Sequence, residues 1–370
     1  MVFVAPSKYF NDATADLPLS AAVVLAVLMT MGIYNGASSY PDMALAAFPW
    51  PAFEDKYELG SVLGYGSYSI VREATDKTTG VRVAVKLMEK AGMTDDEKDT
   101  VPNEVNFMQR INHPLSLQLL DFFEDDAYFY LVSELITGGT LFDRIITKDH
   151  YSEEAARTVV RQLIQVIEFC HLRGVVHGDL KPENILMVHE HNDTSIKVAD
   201  YGCASTVAAA MDPSTARFCG TLAYAAPEIH DAQPYGPPVD IWSIGVIAFI
   251  LLCGNFPFSD PEPLLLSYKV TTGDYSFDEK EWGHVSDEAK EFISELLAVD
   301  PARRPTATAL LAHPWLRASK KAADHAGVGA SEIVTSLLPT PTQRYRKCSS
   351  AVLEELNMLI AAISSRDSSS

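Results

Sequence analysis

The period of the hydrophobic positions changes part-way along the chain. From Tyr57 to Val71 and from Val81 to Met88, apolar and often β-branched side chains alternate with polar ones, the two-residue period of half-buried strands. Tyr128 to Glu134 reads as another strand, and Asn103 to Ile111 as a helical stretch. After Gly139 the apolar residues recur every three or four positions, which predicts helices over Glu153–Leu172, Val239–Leu252, Asp287–Leu297 and Ala307–Leu311. A strand-rich part followed by a helix-rich part predicts an α+β protein of two lobes between Tyr57 and Leu316. No internal repeat interrupts it.

The ends read differently. Residues 1–56 form an extension containing an uncharged run, Leu17 to Tyr34, that carries Pro18 and is at the short end of what spans a bilayer, for which about 20 residues are typical. Lys8 is offset by Asp12 and Asp16, the wrong balance for a signal-peptide n-region, and no Lys/Arg cluster fixes an orientation. Two readings stand: a membrane anchor, or an extension that packs or stays disordered. Pro41 to Phe53 reads as a linker. Residues 317–370 form an Ala/Ser-rich tail, too short for an ordinary domain. In it Val352, Leu356, Leu359, Ile360 and Ile363 share one helical face after Arg344, Arg346 and Lys347.

Composition narrows the classes. With 370 residues, 47% of them hydrophobic and 21% charged, the chain can bury a large core and is not disordered throughout. Its net charge of -20 argues against broad binding to nucleic acid or anionic lipid. That charge is concentrated in residues 57–316, which hold 20 Lys/Arg against 39 Asp/Glu, whereas the tail holds 7 against 5. Five cysteines, odd in number and with no CxxC pair, read as reduced thiols of a cytoplasmic protein, with neither a zinc site nor a disulfide framework.

The chemistry begins with Gly64-Tyr65-Gly66-Ser67-Tyr68-Ser69-Ile70-Val71, between two predicted strands. Glycines there let the backbone approach phosphate oxygens, although a G-x-G pair in a hairpin is also an ordinary turn. Val83-Ala84-Val85-Lys86 places an ammonium inside an apolar strand, which demands an anion nearby: nucleotide phosphates or Glu104. His177-Gly178-Asp179-Leu180-Lys181-Pro182-Glu183-Asn184, followed by Asp200-Tyr201-Gly202, supplies carboxylates, a lysine and an amide oxygen able to take a hydroxyl proton and hold Mg²⁺.

In this order, the motifs resemble those of the eukaryotic protein kinase family over residues 57–316. Ala226-Pro227-Glu228, the stretch Val239 to Gly245 and Asp300 to Thr306 extend the likeness. Thr137-Gly138-Gly139, Leu251 to Gly254 and His313-Pro314-Trp315 look most like the calcium/calmodulin-dependent group. The resemblance implies a bilobal kinase domain with its N-lobe over 57–136 and its C-lobe over 137–316. It implies transfer of the γ-phosphoryl group of ATP, with Mg²⁺, to Ser/Thr hydroxyls of proteins.

The resemblance also assigns roles. Lys86 would pair with phosphates and Glu104; Asn184 and Asp200 would hold Mg²⁺; Asp179 would orient and deprotonate the acceptor, with Lys181 neutralising the moving group. Gly64, Gly66, Val71 and Ala84 join the nucleotide set, with adenine on backbone groups of Glu134 and Ile136. Glu183 belongs to the same set and is available to basic substrate residues. Arg304 would pair with Glu228, Thr221 would sit beside Asp179, and Met108, Leu119, His177 and Tyr201 would stack between the lobes above Asp240.

Several positions depart from the family. Gly178 stands where most kinases have an arginine that binds an activation-loop phosphate, and Arg217 where relatives carry the phosphorylated threonine. Activity independent of that modification is expected, with Thr215 and Ser214 as alternative sites. Tyr201 replaces a phenylalanine, Ser133 is small for the position behind adenine, and Thr140 replaces a glutamate that helps to bind ribose and an upstream substrate arginine. A pseudokinase scaffold is the competing reading; it must contend with the presence of Lys86, Glu104, Asp179, Lys181, Asn184 and Asp200. The tail helix reads either as an autoinhibitory or calmodulin-binding segment, weakened by Glu354 and Glu355, or as a helix docked on the core. Ser349 and Ser350 offer a self-phosphorylation or pseudosubstrate site.

Overall fold

The computed structural model describes residues 52–66, 69–148, 150–212 and 219–317. Five antiparallel strands, β1 (Tyr57–Tyr65), β2 (Ser69–Asp76), β3 (Arg82–Glu89), β4 (Leu119–Glu124) and β5 (Tyr128–Glu134), form one sheet in the order β1-β2-β3-β5-β4. Alternation along β3 buries Val83 and Val85 in an aromatic cluster with Phe53, Tyr57 and Tyr130. Ala84 and Lys86 therefore project from the opposite face, the one that lines the cleft. Strand β5 has the bounds that its periodicity predicts; β4 was not foreseen.

Helix α1 (Asp95–Arg110) begins earlier than its apolar period suggests. Its first two turns are acidic and polar, and Pro102 lies inside it, so periodicity reports only the second half. The start is set by Thr94, whose side chain accepts from the Glu97 amide while the Glu97 carboxylate accepts from the Thr94 amide. Val101, Glu104, Val105 and Met108 then fall on one buried face, which carries Glu104 to the sheet.

The C-lobe is helical: α2 (Leu141–Lys148), α3 (Glu153–His171), α4 (Pro238–Cys253), α5 (Pro263–Thr272) and α6 (Asp287–Leu296). Helix α4 is apolar all round and buried from Val239 to Leu252; its core includes Trp242, packed parallel to Phe258. Two small antiparallel pairs hold the loops: β6 (Val175–Val176) with β9 (Ser205–Thr206), and β7 (Ile185–Met187) with β8 (Ile196–Val198). Register Ile185↔Val198 places Asn184 against Ala199, whose amide donates to the Asn184 carbonyl at 2.8 Å.

One expectation is corrected. Cys203 and Cys219 are disulfide-bonded, with Cα atoms 5.5 Å apart across a sequence separation of 16. Spacing in sequence did not reveal this, because a single sequence does not report which of its cysteines come close in space. Among the described residues no helix is long and apolar enough to cross a membrane. The run Leu17–Tyr34, residues 213–218 with Ser214, Thr215 and Arg217, and the tail beyond Arg317 lie outside the described residues.

Candidate active site

Between the sheet and the C-lobe lies a cavity of about 480 Å³. Its lining includes Gly64, Gly66, Val71, Ala84, Lys86, Glu134, Ile136, Glu183, Asn184 and Asp200, so the whole expected nucleotide set converges on one space. Lys86 Nζ lies 2.8 Å from Glu104 Oε1 and 3.3 Å from Asp200 Oδ1. Burial opposes the lysine's charge, but Asp200 and Glu104 outweigh it and hold its pKa above the ordinary value. Burial likewise works against ionised Asp200, and Lys86 reverses the balance, keeping that carboxyl below the usual range. Asp200 is held in the left-handed region at φ 63°, a strained conformation for a residue with a side chain.

Opposite stands the loop between β6 and β7. Asp179 Oδ2 lies 2.6 Å from Lys181 Nζ and accepts from Asn184 Nδ2 at 3.1 Å; Lys181 also donates to Thr221 Oγ1 at 2.8 Å. Both short Asn184 contacts, to the Asp179 carbonyl and carboxylate, use its amide nitrogen, which leaves its oxygen directed elsewhere. The loop is anchored by Asp240, 1% exposed, which accepts from the amides of His177 at 3.0 Å and Gly178 at 2.9 Å and bonds His171 Nε2 at 2.8 Å. Burial would raise the Asp240 pKa; His171 and the backbone donors lower it instead. The His177 and Tyr201 rings meet at a tilt of 49° with centroids 5.0 Å apart, and Tyr201, Met108 and Leu119 share one cluster.

The site fits the groups that a nucleotide needs. The Glu134 side chain is occupied, accepting from the Gln118 amide and Lys197 Nζ, and its own amide donates to the Gln118 carbonyl at 3.2 Å, while its carbonyl is approached by Ser133 Oγ at 3.4 Å. The backbone of Ile136 makes no hydrogen bond among the described residues, leaving a donor and an acceptor on the wall of the cavity. Asn184 and Asp200 offer oxygen donors, and among the described residues no cluster of three or more His, Cys, Asp or Glu side chains could hold a metal. So sparse a set suits Mg²⁺, which takes much of its coordination from phosphates and water. Glu183 Oε2 is buried without a hydrogen-bond partner, and burial raises the pKa of its carboxyl.

Two departures acquire local explanations. Thr140 caps α2: its hydroxyl accepts from the Asp143 amide at 3.1 Å, while Asp143 accepts from the Thr140 amide and hydroxyl. Tyr201 points its hydroxyl at Ser116, 2.8 Å away and fully buried. Sequence reasoning missed Ser116, since one serine in an apolar stretch gives no signal until its partner is known. Ser116→Ala should destabilise the protein by at least about 1 kcal/mol in chemical denaturation, because the tyrosine hydroxyl loses its partner. Adding Tyr201→Phe should recover much of that loss; a double variant weaker than the sum of the single ones would contradict the pairing.

Ser133 is buried behind the cleft, opposite Ala84 on β3 and Leu119 on β4, and lines the cavity with Met108 and Leu131. The small side chain leaves room for bulky purine analogues. Ser133→Phe should weaken their competition with ATP by about tenfold or more, ~1.4 kcal/mol, measured by inhibition constants. Equal inhibition of both proteins would refute the assignment.

A lysine–glutamate pair beneath a glycine hairpin, facing an aspartate–lysine–asparagine loop across one cavity, is the arrangement of a phosphotransferase. The sequence matches the protein kinase domain model over residues 57–316, and the chain belongs to the protein kinase family. It is similar to the calcium/calmodulin-dependent protein kinase type 1 of Macrobrachium nipponense, 38% identical over 311 residues covering 83% of this chain and 88% of that one. The protein of the same name from Caenorhabditis elegans is 40% identical over 269 residues, 72% of this chain and 76% of that one. Myosin light chain kinase A of Dictyostelium discoideum is 40% identical over 267 residues, 72% and 90% of the two chains. The protein is a serine/threonine protein kinase, with ATP and proteins as its substrates; nothing favours the pseudokinase alternative.

Proposed function

We propose that residues 57–316 form the catalytic domain, flanked by the extension 1–56 and the tail 317–370, and that the cleft residues divide the reaction as follows. Lys86, fixed by Glu104, holds the inner phosphates. Backbone groups of Glu134 and Ile136 bind adenine between Val71 and Ala84, and Gly64 and Gly66 cover the phosphates. Asn184 and Asp200 hold Mg²⁺, which supplies neutralisation of phosphate charge. Asp179 accepts the proton of the Ser or Thr hydroxyl, and Lys181 stabilises the negative charge on the group in transit. No covalent nucleophile is needed, since positioning and electrostatics carry phosphoryl transfer. The observation that carries this reading is the convergence of Lys86, Glu104, Asn184 and Asp200 on one cleft, with Asp179 hydrogen-bonded to Asn184 beside it.

The preferred acceptor is a basic peptide. Glu183 has a buried carboxylate oxygen awaiting a donor, and the catalytic region carries 39 acidic against 20 basic residues. Thr140 is committed to capping α2, so specificity for an upstream arginine rests on Glu183 rather than on that position. The relatives' names include calcium/calmodulin dependence, and the basic, amphipathic tail is the segment on which such control would act.

The deciding experiment is phosphorylation of a Ser/Thr peptide library with radiolabelled ATP, with and without calcium/calmodulin. Incorporation into Ser/Thr peptides with flanking Arg or Lys is expected; selection of acidic peptides would contradict the role given to Glu183. Stimulation by calcium/calmodulin would assign the tail to calmodulin, and its absence would leave the tail a docked helix. Phosphatase treatment is expected to leave activity within about twofold; abolition, with the lost phosphate mapped to residues 203–221, would overturn the activation-loop reading.

A further inference from the structure

The disulfide joins two points of the chain that lie next to site residues. Cys203 follows Asp200-Tyr201-Gly202 and precedes β9, which pairs with β6 directly before His177. Cys219 precedes Gly220 and Thr221, the latter bonded to Lys181. Between them lies the Gly178–Asp179 backbone. Gly178 has φ 80°, and a Cβ there would come within 2.9 Å of the Cys203 carbonyl oxygen. Gly220 has φ 123°, and a Cβ there would lie 2.9 Å from the Gly178 carbonyl oxygen and 3.2 Å from Asp179 Oδ1. A side chain at either position would be strained and crowded, because the Cys203 carbonyl lies close to Gly178 and Gly220 lies close to the Gly178 carbonyl and Asp179.

We propose that Cys203 and Cys219 form a redox modification site, closed by exchange with a disulfide of the glutathione class, and that the closed bond holds the residues around Asp200 and Thr221 in their active arrangement. The bond coexists here with the Lys86–Glu104 pair and the Asp179–Lys181–Thr221 contacts. It ties covalently what Gly178 cannot tie with a side chain. The Cys219 residue is exposed and Cys203 half-buried, so a small disulfide reaches Cys219 first. The Cys219 thiolate attacks one sulfur of glutathione disulfide, that S–S bond breaks, and one glutathione thiolate leaves. The Cys203 thiolate then attacks the Cys219 sulfur of the mixed disulfide, and the second glutathione thiolate leaves. Two protein thiols are oxidised, one glutathione disulfide is reduced to two thiols, and the two thiol protons end on the glutathione. Cys170 and Cys253 do not compete, since burial pushes both thiols up to about 12.

This proposal rests on the reading of Asp179 and Asp200 as the reacting pair, and its test separates the two. The full chain is equilibrated in glutathione buffers of graded ratio. The bridged fraction is read by non-reducing peptide mapping, and peptide phosphorylation is measured on the same samples. The Cys203–Cys219 peptide should rise with the oxidised fraction, and kcat should fall at least several-fold on reduction. Cys203→Ser and Cys219→Ser should each match the reduced wild type and ignore the buffer, while Cys348→Ser responds like wild type. Absence of the bridged peptide under oxidising conditions, or bridging with unchanged kcat, would overturn the proposal. Bridging that tracks the buffer while no sample transfers phosphate would sink the catalytic assignment itself, and the redox control with it.

Discussion

Asp179→Asn should lower kcat for peptide phosphorylation by about 10²–10⁴-fold, the range typical of losing a positioned general base. The amide is isosteric with the carboxylate and can keep a hydrogen bond with Asn184, so the loop should remain folded; a calorimetric melting temperature close to wild type would show that it has. The nucleotide sits on other groups, and the Michaelis constant for ATP should therefore stay within about threefold while kcat collapses. That split distinguishes a base from a structural residue. Lys86→Met provides the complementary case: it leaves Glu104 buried beside Asp200 with no cation between them, and should raise the Michaelis constant for ATP as well as lower kcat. Radiolabelled-ATP assays at several nucleotide concentrations read both. An Asp179→Asn protein retaining more than about a tenth of wild-type kcat would remove the base from Asp179.

The parts of this site differ in how far sequence discloses them. Lys86 is legible because an ammonium within Val-Ala-Val-Lys has to face an anion, and Glu104 because the second half of α1 shows its period. Alternation along β3 then fixes which face carries Lys86, and every strand of the sheet except β4 follows from the same period. The start of α1 was not legible by periodicity, since its first turns are acidic and polar and only the reciprocal Thr94–Glu97 cap announces it. Ser116 and the cysteine pair were hidden for a different reason. Each gains its meaning from a partner far along the chain, Tyr201 for Ser116 and Cys219 for Cys203, and a single sequence does not report such distances. Thr140 shows the reverse: it departs from its family's pattern, and its local hydrogen bonds to Asp143 explain how the position is used instead.

Arg304→Met should be the most destabilising of these substitutions. The guanidinium is wholly buried and every one of its N–H groups has an acceptor: Glu228 Oε1 at 2.7 Å and Oε2 at 2.8 Å, and the carbonyls of Ala298, Pro238 and Val299. It also lies over the Trp242 ring, 5.0 Å from the centroid. Methionine fills much of the volume but donates nothing, which strands a nearly buried carboxylate and three carbonyl oxygens. Breaking a buried pair from one side costs about 3–5 kcal/mol. For a domain of this size that is roughly a 10 °C fall in melting temperature, measurable by calorimetry. Adding Glu228→Gln removes the stranded charge and should restore part of the loss. Because Glu228 opens the short helix that follows the Thr221–Tyr224 segment, the surviving fraction of Arg304→Met should also show a raised Michaelis constant for peptide with little change for ATP. A melting temperature within about 2 °C of wild type would mean that the pair is not the brace its geometry makes it.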